Sequence, residues 1–235
     1  MKKFSEQLIH IGISFRTLPG VVISNQNLLK FQQEINSNGL EFTKVEKTPD
    51  NSKIAIIREL PSPLQIMVVV QEPPIAQLII IAPLPKTTKD LFIDEVEAVI
   101  KAYENTWPAD HRVVVHSDGA IRELLEASGE YDHAFQEIWE KRLNQPAESL
   151  KIFGKPIQGG GLRFVLTPIP GETDPVQIEV KIESYLQDTK KIFVETLFNW
   201  FAQTPLKPRE RIISMDAYVK DHVHKFILGE ANESY

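Results

Sequence analysis

Two stretches of this chain follow one uncommon plan: an apolar strand, a proline-marked turn, a second apolar strand, then a segment with helical spacing. The first, over residues 64–107, reads LQIMVVVQEPPIAQLIIIAPLPKTTKDLFIDEVEAVIKAYENTW. The second, over residues 162–205, reads LRFVLTPIPGETDPVQIEVKIESYLQDTKKIFVETLFNWFAQTP. In the first, residues 66–70 and 78–81 are almost unbroken β-branched and aliphatic side chains, which suits central strands with little access to water. The helix predicted over about 89–103 places Phe92, Val96, Val99, Ile100 and Tyr103 on one wide apolar stripe. In the second stretch the alternation of Val176, Ile178, Val180 and Ile182 leaves one strand face wet. The same i, i+4, i+7, i+8 spacing then predicts a second long helix carrying Phe193, Leu197, Trp200 and Phe201, with Ile192, Val194 and Phe198 widening its apolar surface.

The two stretches lie about 100 residues apart, and self-similarity at a fixed offset is a mark of repeated architecture. Gln77 meets Gln177 and Ile80 meets Val180; with one residue of slippage Phe92 meets Phe193 and Val96 meets Leu197. The chain has 235 residues, 42% of them hydrophobic, enough for one large domain or two of about 115 residues. The expected fold is therefore α+β. Two related β-hairpin–long-helix units, 1–118 and 119–235, build a mostly antiparallel sheet as one compact body. The expected layout is pseudo-twofold, TBP-like or duplicated ferredoxin-like.

Around these stretches the reading is local. Residues 8–15 alternate as a half-buried strand, and Ser24 caps a helix striped by Leu28, Phe31 and Ile35. Residues 41–47 and 53–60 form a strand pair across a turn-rich link. After a short strand at 112–116, Ser117 or Asp118 is expected to cap a helix holding Ile121, Leu124 and Leu125. A helix over 131–144, a short strand at 149–153 and a final helix after Asp216 complete the chain.

Composition narrows the chemistry. The chain has no cysteine, which removes disulfides and thiolate metal sites. Its net charge is −6 with dispersed cations, so phosphate-driven nucleic-acid binding is not expected. No apolar run approaches a membrane span and the start does not resemble a signal peptide, so a cytoplasmic protein is expected. His116, Ser117 and Asp118 hold the residue types of a nucleophilic triad, but neighbours on one strand diverge. His222 and His224 point apart on a helix and cannot share a metal. Gly159, Gly160 and Gly161 form the most distinctive loop. Glycines let backbone amides approach an anion, with Arg163 as its natural partner, although a strand rather than a helix follows.

No motif compels a reaction. The leading expectation is a non-catalytic protein-binding or assembly module, acting as a homodimer or with a protein partner through Phe193, Phe198, Trp200 and Phe201. The alternative is a small-molecule enzyme or ligand binder using the cleft between the units, near Gly159, Gly160, Gly161 and Arg163. No catalytic residue, cofactor or metal is assigned.

Overall fold

A computed structural model of the chain describes residues 2–71, 73–86, 88–128, 131–201 and 206–229. Among these residues, nine strands form one antiparallel sheet in the order β2-β3-β4-β5-β1-β6-β9-β8-β7. The first half runs β1 (Lys2–Leu18), α1 (Asn25–Ser37), β2 (Lys44–Lys47), β3 (Lys53–Arg58), β4 (Leu64–Val70), β5 (Ala76–Pro83) and α2 (Lys89–Thr106). The second runs β6 (Val113–Ser128), α3 (Ala134–Lys141), a 3-10 helix (Ala147–Phe153), β7 (Gly161–Leu166), β8 (Val176–Ser184) and β9 (Lys191–Trp200). It closes with α4 (Pro208–Tyr218), a π-helical segment (Val219–His224) and α5 (Lys225–Leu228). The mixed α+β class and the antiparallel sheet agree with the sequence. The division proposed at 118/119 falls inside β6, whose two long edges pair with β1 and β9.

The helices gather on one face. Along β1, Ile11, Ile13 and Phe15 turn toward them and are buried, as are Leu78 and Ile80 on β5 and Ile66 and Val68 on β4. The amphipathic stripe of α2 lies on these strands; Phe92, Val96, Val99 and Tyr103 are each almost wholly buried. α1 packs beside α2, Phe31 meeting Trp107 with ring centroids 5.1 Å apart, and Ser24 caps α1 by accepting from the Asn27 amide. On the other half α4 crosses β6 and β9, where Gly119 admits Met215. A Cβ at Gly119 would stand 2.5 Å from the Met215 sulfur. At ~1.5–3 kcal/mol for each large side chain buried, the α2 stripe alone contributes on the order of 10 kcal/mol before entropy.

Five sequence expectations are overturned. The predicted second long helix is strand β9. Its side chains alternate: Ile192, Val194, Thr196, Phe198 and Trp200 face the helices, while Phe193, Glu195, Leu197 and Asn199 face away. The helical spacing of Phe193, Leu197, Trp200 and Phe201 was coincidence. With apolar residues on both faces, period 2 and period 3.6 are equally satisfied, and pairing with β6 and β8 decides for the strand. The helix expected after Asp118 is likewise the continuation of β6, so Ser117 and Asp118 are mid-strand residues and cap nothing. The strand expected at 149–153 is 3-10 helix, and Asp216 lies within α4, which begins earlier at Pro208. The 100-residue alignment therefore sets helix α2 against strand β9, and that residue correspondence does not hold.

Candidate functional site

Three places bring polar or cavity-lining side chains together. The first is a buried ionic cluster where the helices meet the seam of β1 and β6. Glu123 on β6 has essentially no exposed surface. The Lys89 ammonium, at the start of α2, lies 3.0 Å from Glu123 Oε1 and 3.5 Å from Glu6 Oε1, and also bonds Asp216 of α4. His224, the last residue of the π-helical segment, donates through Nε2 to Glu123 Oε2 at 2.8 Å. Burial opposes ionisation of Glu123, but the His224 bond and the Lys89 charge outweigh it and hold the carboxyl down to about 2. Burial likewise works against the Lys89 charge, yet Glu123 and Asp216 raise its pKa. Glu6, Glu123 and His224 offer ligand atoms within 4.8 Å of one another, a spacing a metal ion accepts. Lys89 already bonds both carboxylates, so the fixed ammonium serves as the cation there. His222 faces solvent while His224 is buried, as helical spacing predicts.

The second place is the helix-free face of the sheet. His116 Nε2 donates to Asp118 Oδ1 at 2.7 Å, and Ser14 Oγ donates to Asp118 Oδ2 at 2.9 Å. Residue types of a triad do meet here, in the wrong order: the carboxylate stands between the serine and the imidazole, so the imidazole cannot take the serine proton. Ser117 points to the opposite, buried face. Gly12 pairs with Ala120 beside them, and the missing side chains leave a depression of about 290 Å³ walled by Ile79, Ile81 and Leu197. His10 at its rim is pushed down to about 4, mainly by burial, with Arg122 adding and Glu195 opposing. Toward β7 this face becomes a ladder of paired charges: Arg122 with Glu195, Glu195 with Lys181, and Glu179 with Arg163. Toward β3 it is apolar.

The third place is a cavity of about 640 Å³ between α3 and residues 150–161. Phe135 and Trp139 of α3 form one wall; Leu150, Phe153 and Ile157 form much of the other. Gly159, Gly160 and Gly161 complete it, and Ser184 clamps the loop by accepting from the Gly160 amide at 2.9 Å. That amide is therefore committed and does not form a phosphate cradle. The glycines instead allow close approach, since a Cβ at Gly160 would lie 2.9 Å from the Phe135 ring.

The expected glycine loop thus borders a cavity, but within the second half rather than between the halves. Arg163 is not part of its lining. It lies on the helix-free face, 2.8 Å from Glu179. The four expected interface aromatics do not form one surface. Phe198 and Trp200 are stacked in the core beneath α4, with Arg211 over the Trp200 ring. Phe193 is paired with Leu124 on the helix-free face, and Phe201 is exposed beside His116. The ionic cluster had no local sequence signal, because its members come from β1, α2, β6, α4 and the π-helical segment.

No protein-family model matches the chain, and no curated protein matches its sequence. Among the described residues no helix is long and apolar enough to cross a membrane.

Proposed function

We propose that this chain is a non-catalytic binding module that associates with a second copy of itself through the helix-free face of its sheet. The observation supporting this is a contiguous uncharged patch across β3, β4 and β5. Ala55, Met67 and Ile79 form one cross-strand row; Ile57, Gln65 and Ile81 form the next, which Gly12, Ala120 and Leu197 prolong. Among the described residues no helix lies over it, and most of its side chains are half-buried. The rows reach about 24 Å across six strands at ~4.8 Å spacing, on the order of 300 Å² of apolar surface. A second copy fits because an uncharged, open sheet face can stack on its own kind about 10 Å away. The patch is well short of the ~800 Å² per partner of a stable complex, so the dimer is weak and concentration-dependent. Sedimentation velocity from low to high micromolar concentration tests this. A rising sedimentation coefficient that Met67→Lys abolishes, with the circular dichroism spectrum unchanged, is the expected result. A monomer throughout the range rejects the proposal.

The same proposal includes a relation between the halves. From the β1–β6 seam outward the order is β1, β5, β4, β3, β2 on one side and β6, β9, β8, β7 on the other, so β2 has no counterpart. Each half opens with its seam strand and closes with the helix over it. This supports a pseudo-twofold, TBP-like duplication in a register different from the 100-residue alignment. Superposition of β1, β5, β4 and α2 on β6, β9, β8 and α4 tests it; helices falling on different strands would reject it.

A further inference from the structure

We propose that the cavity beside α3 binds an amphipathic anion, a molecule with an apolar body and a single carboxylate-type head. The site is separate from the self-association face. Its volume of about 640 Å³ falls within the ~300–1,000 Å³ of small-molecule pockets. The walls are apolar and largely aromatic: Phe135, Trp139, Leu150, Phe153 and Ile157. Phe153 and Ile157 are 69% and 40% exposed, an arrangement that costs free energy unless something apolar covers them.

Charge selects the head group. Among the described residues the titratable ones lining the cavity are His133, Lys151 and Lys155, with no carboxylate, although the chain carries 32 acidic residues and a net charge of −6. Neither lysine is ion-paired among the described residues. Both acids of α3 are committed elsewhere, Glu140 to the Tyr131 hydroxyl and the Gln136 amide and Glu137 to Lys141. The two lysines hold the charge of the head group through charge-assisted bonds.

The body is either an aliphatic chain running along the apolar walls or a flat aromatic ring stacked on Phe135 and Trp139. Isothermal titration calorimetry with the whole chain distinguishes them, using dodecanoate for the first and 2-naphthoate for the second. Dodecyltrimethylammonium presents the same tail with the opposite charge, and inorganic phosphate presents a head without a body. One carboxylate is expected to bind one-to-one, at least about tenfold more tightly than the ammonium compound, with no heat from phosphate. The exposed pair Lys151→Ala/Lys155→Ala should weaken the carboxylate at least about tenfold and leave the ammonium compound unchanged. Gly160→Val should abolish binding by driving Phe135 into the cavity. The lysine variant, with an unchanged melting curve, carries the test if that valine variant does not fold. Failure of both carboxylates at about 1 mM, equal binding of the ammonium compound, or indifference to the lysine variant would overturn the proposal. Met67→Lys should leave binding intact, so this result stands or falls independently of self-association.

Discussion

Glu123 has essentially no exposed surface, yet it is ionised because His224 and Lys89 meet it from two different helical elements. Its folded carboxyl titrates at about 2 against an ordinary 4.5. A depressed carboxylate contributes stability that is complete above its unfolded value and vanishes as pH falls through the folded one. Stability should therefore decline between about pH 4.5 and pH 2, which urea unfolding at stepped pH measures. Glu123→Gln should flatten that slope and cost about 3 kcal/mol at neutral pH, since it leaves buried charges without their partner. His10 acts in the same direction at higher pH. Its folded value near 4 lies below the ordinary 6.5, so the unfolded chain takes up its proton first and acidification through that window also destabilises the fold. A third residue runs the other way. Thr196 is fully buried, and its hydroxyl has no partner among the described residues. Thr196→Val should stabilise by about 1 kcal/mol, read as a higher denaturant midpoint with an unchanged slope; a loss of stability would show that the hydroxyl is satisfied.

Elements in the first half were more legible than those in the second. The α2 stripe and the Ser24 cap of α1 are local patterns, and both formed as spaced. β9 has apolar residues on both faces and so carries no distinctive period, while in β6 Ser117, Asp118 and Gly119 have the pattern of a turn and a helix cap. Leu124 and Leu125 are neighbours on opposite faces of β6, and Phe193 and Phe198 lie on opposite faces of β9. Only pairing with β1 and β8 decides such segments, and pairing is not local. The glycine loop was legible as a loop, but its purpose depended on Phe135, some 25 positions earlier. The helix over the second half presses on β6 at Gly119, where nothing larger fits beside Met215. Gly119→Ala should cost about 1–3 kcal/mol by overpacking. Adding Met215→Ala should recover part of that cost, a non-additivity that a double-mutant cycle of denaturation midpoints would measure.

At the scale of the whole molecule, the open face of the sheet carries a charged ladder toward β7 and an apolar patch over β3, β4 and β5, edged on β2 by the paired Lys44 and Glu46. The ladder from Arg122 to Arg163 is internally paired and solvated, while the rows around Met67 and Ile79 are neutral. Self-association through the neutral patch should therefore be insensitive to salt. Raising sodium chloride from about 0.1 to 1 M should leave the dimer constant within about twofold or tighten it, because only charge-driven contacts are screened. A dimer that dissociates in salt would place the interface on the ladder instead. Among the described residues the β1–β6 seam is the sole strand pairing between the halves, and the chain passes from one half to the other through exposed residues near Asp110 and His111. A backbone cut between those two residues would sever the polymer without severing the sheet. The two fragments would remain non-covalently complemented through the seam and elute together, and each alone would present a long raw edge to whatever strand it met first.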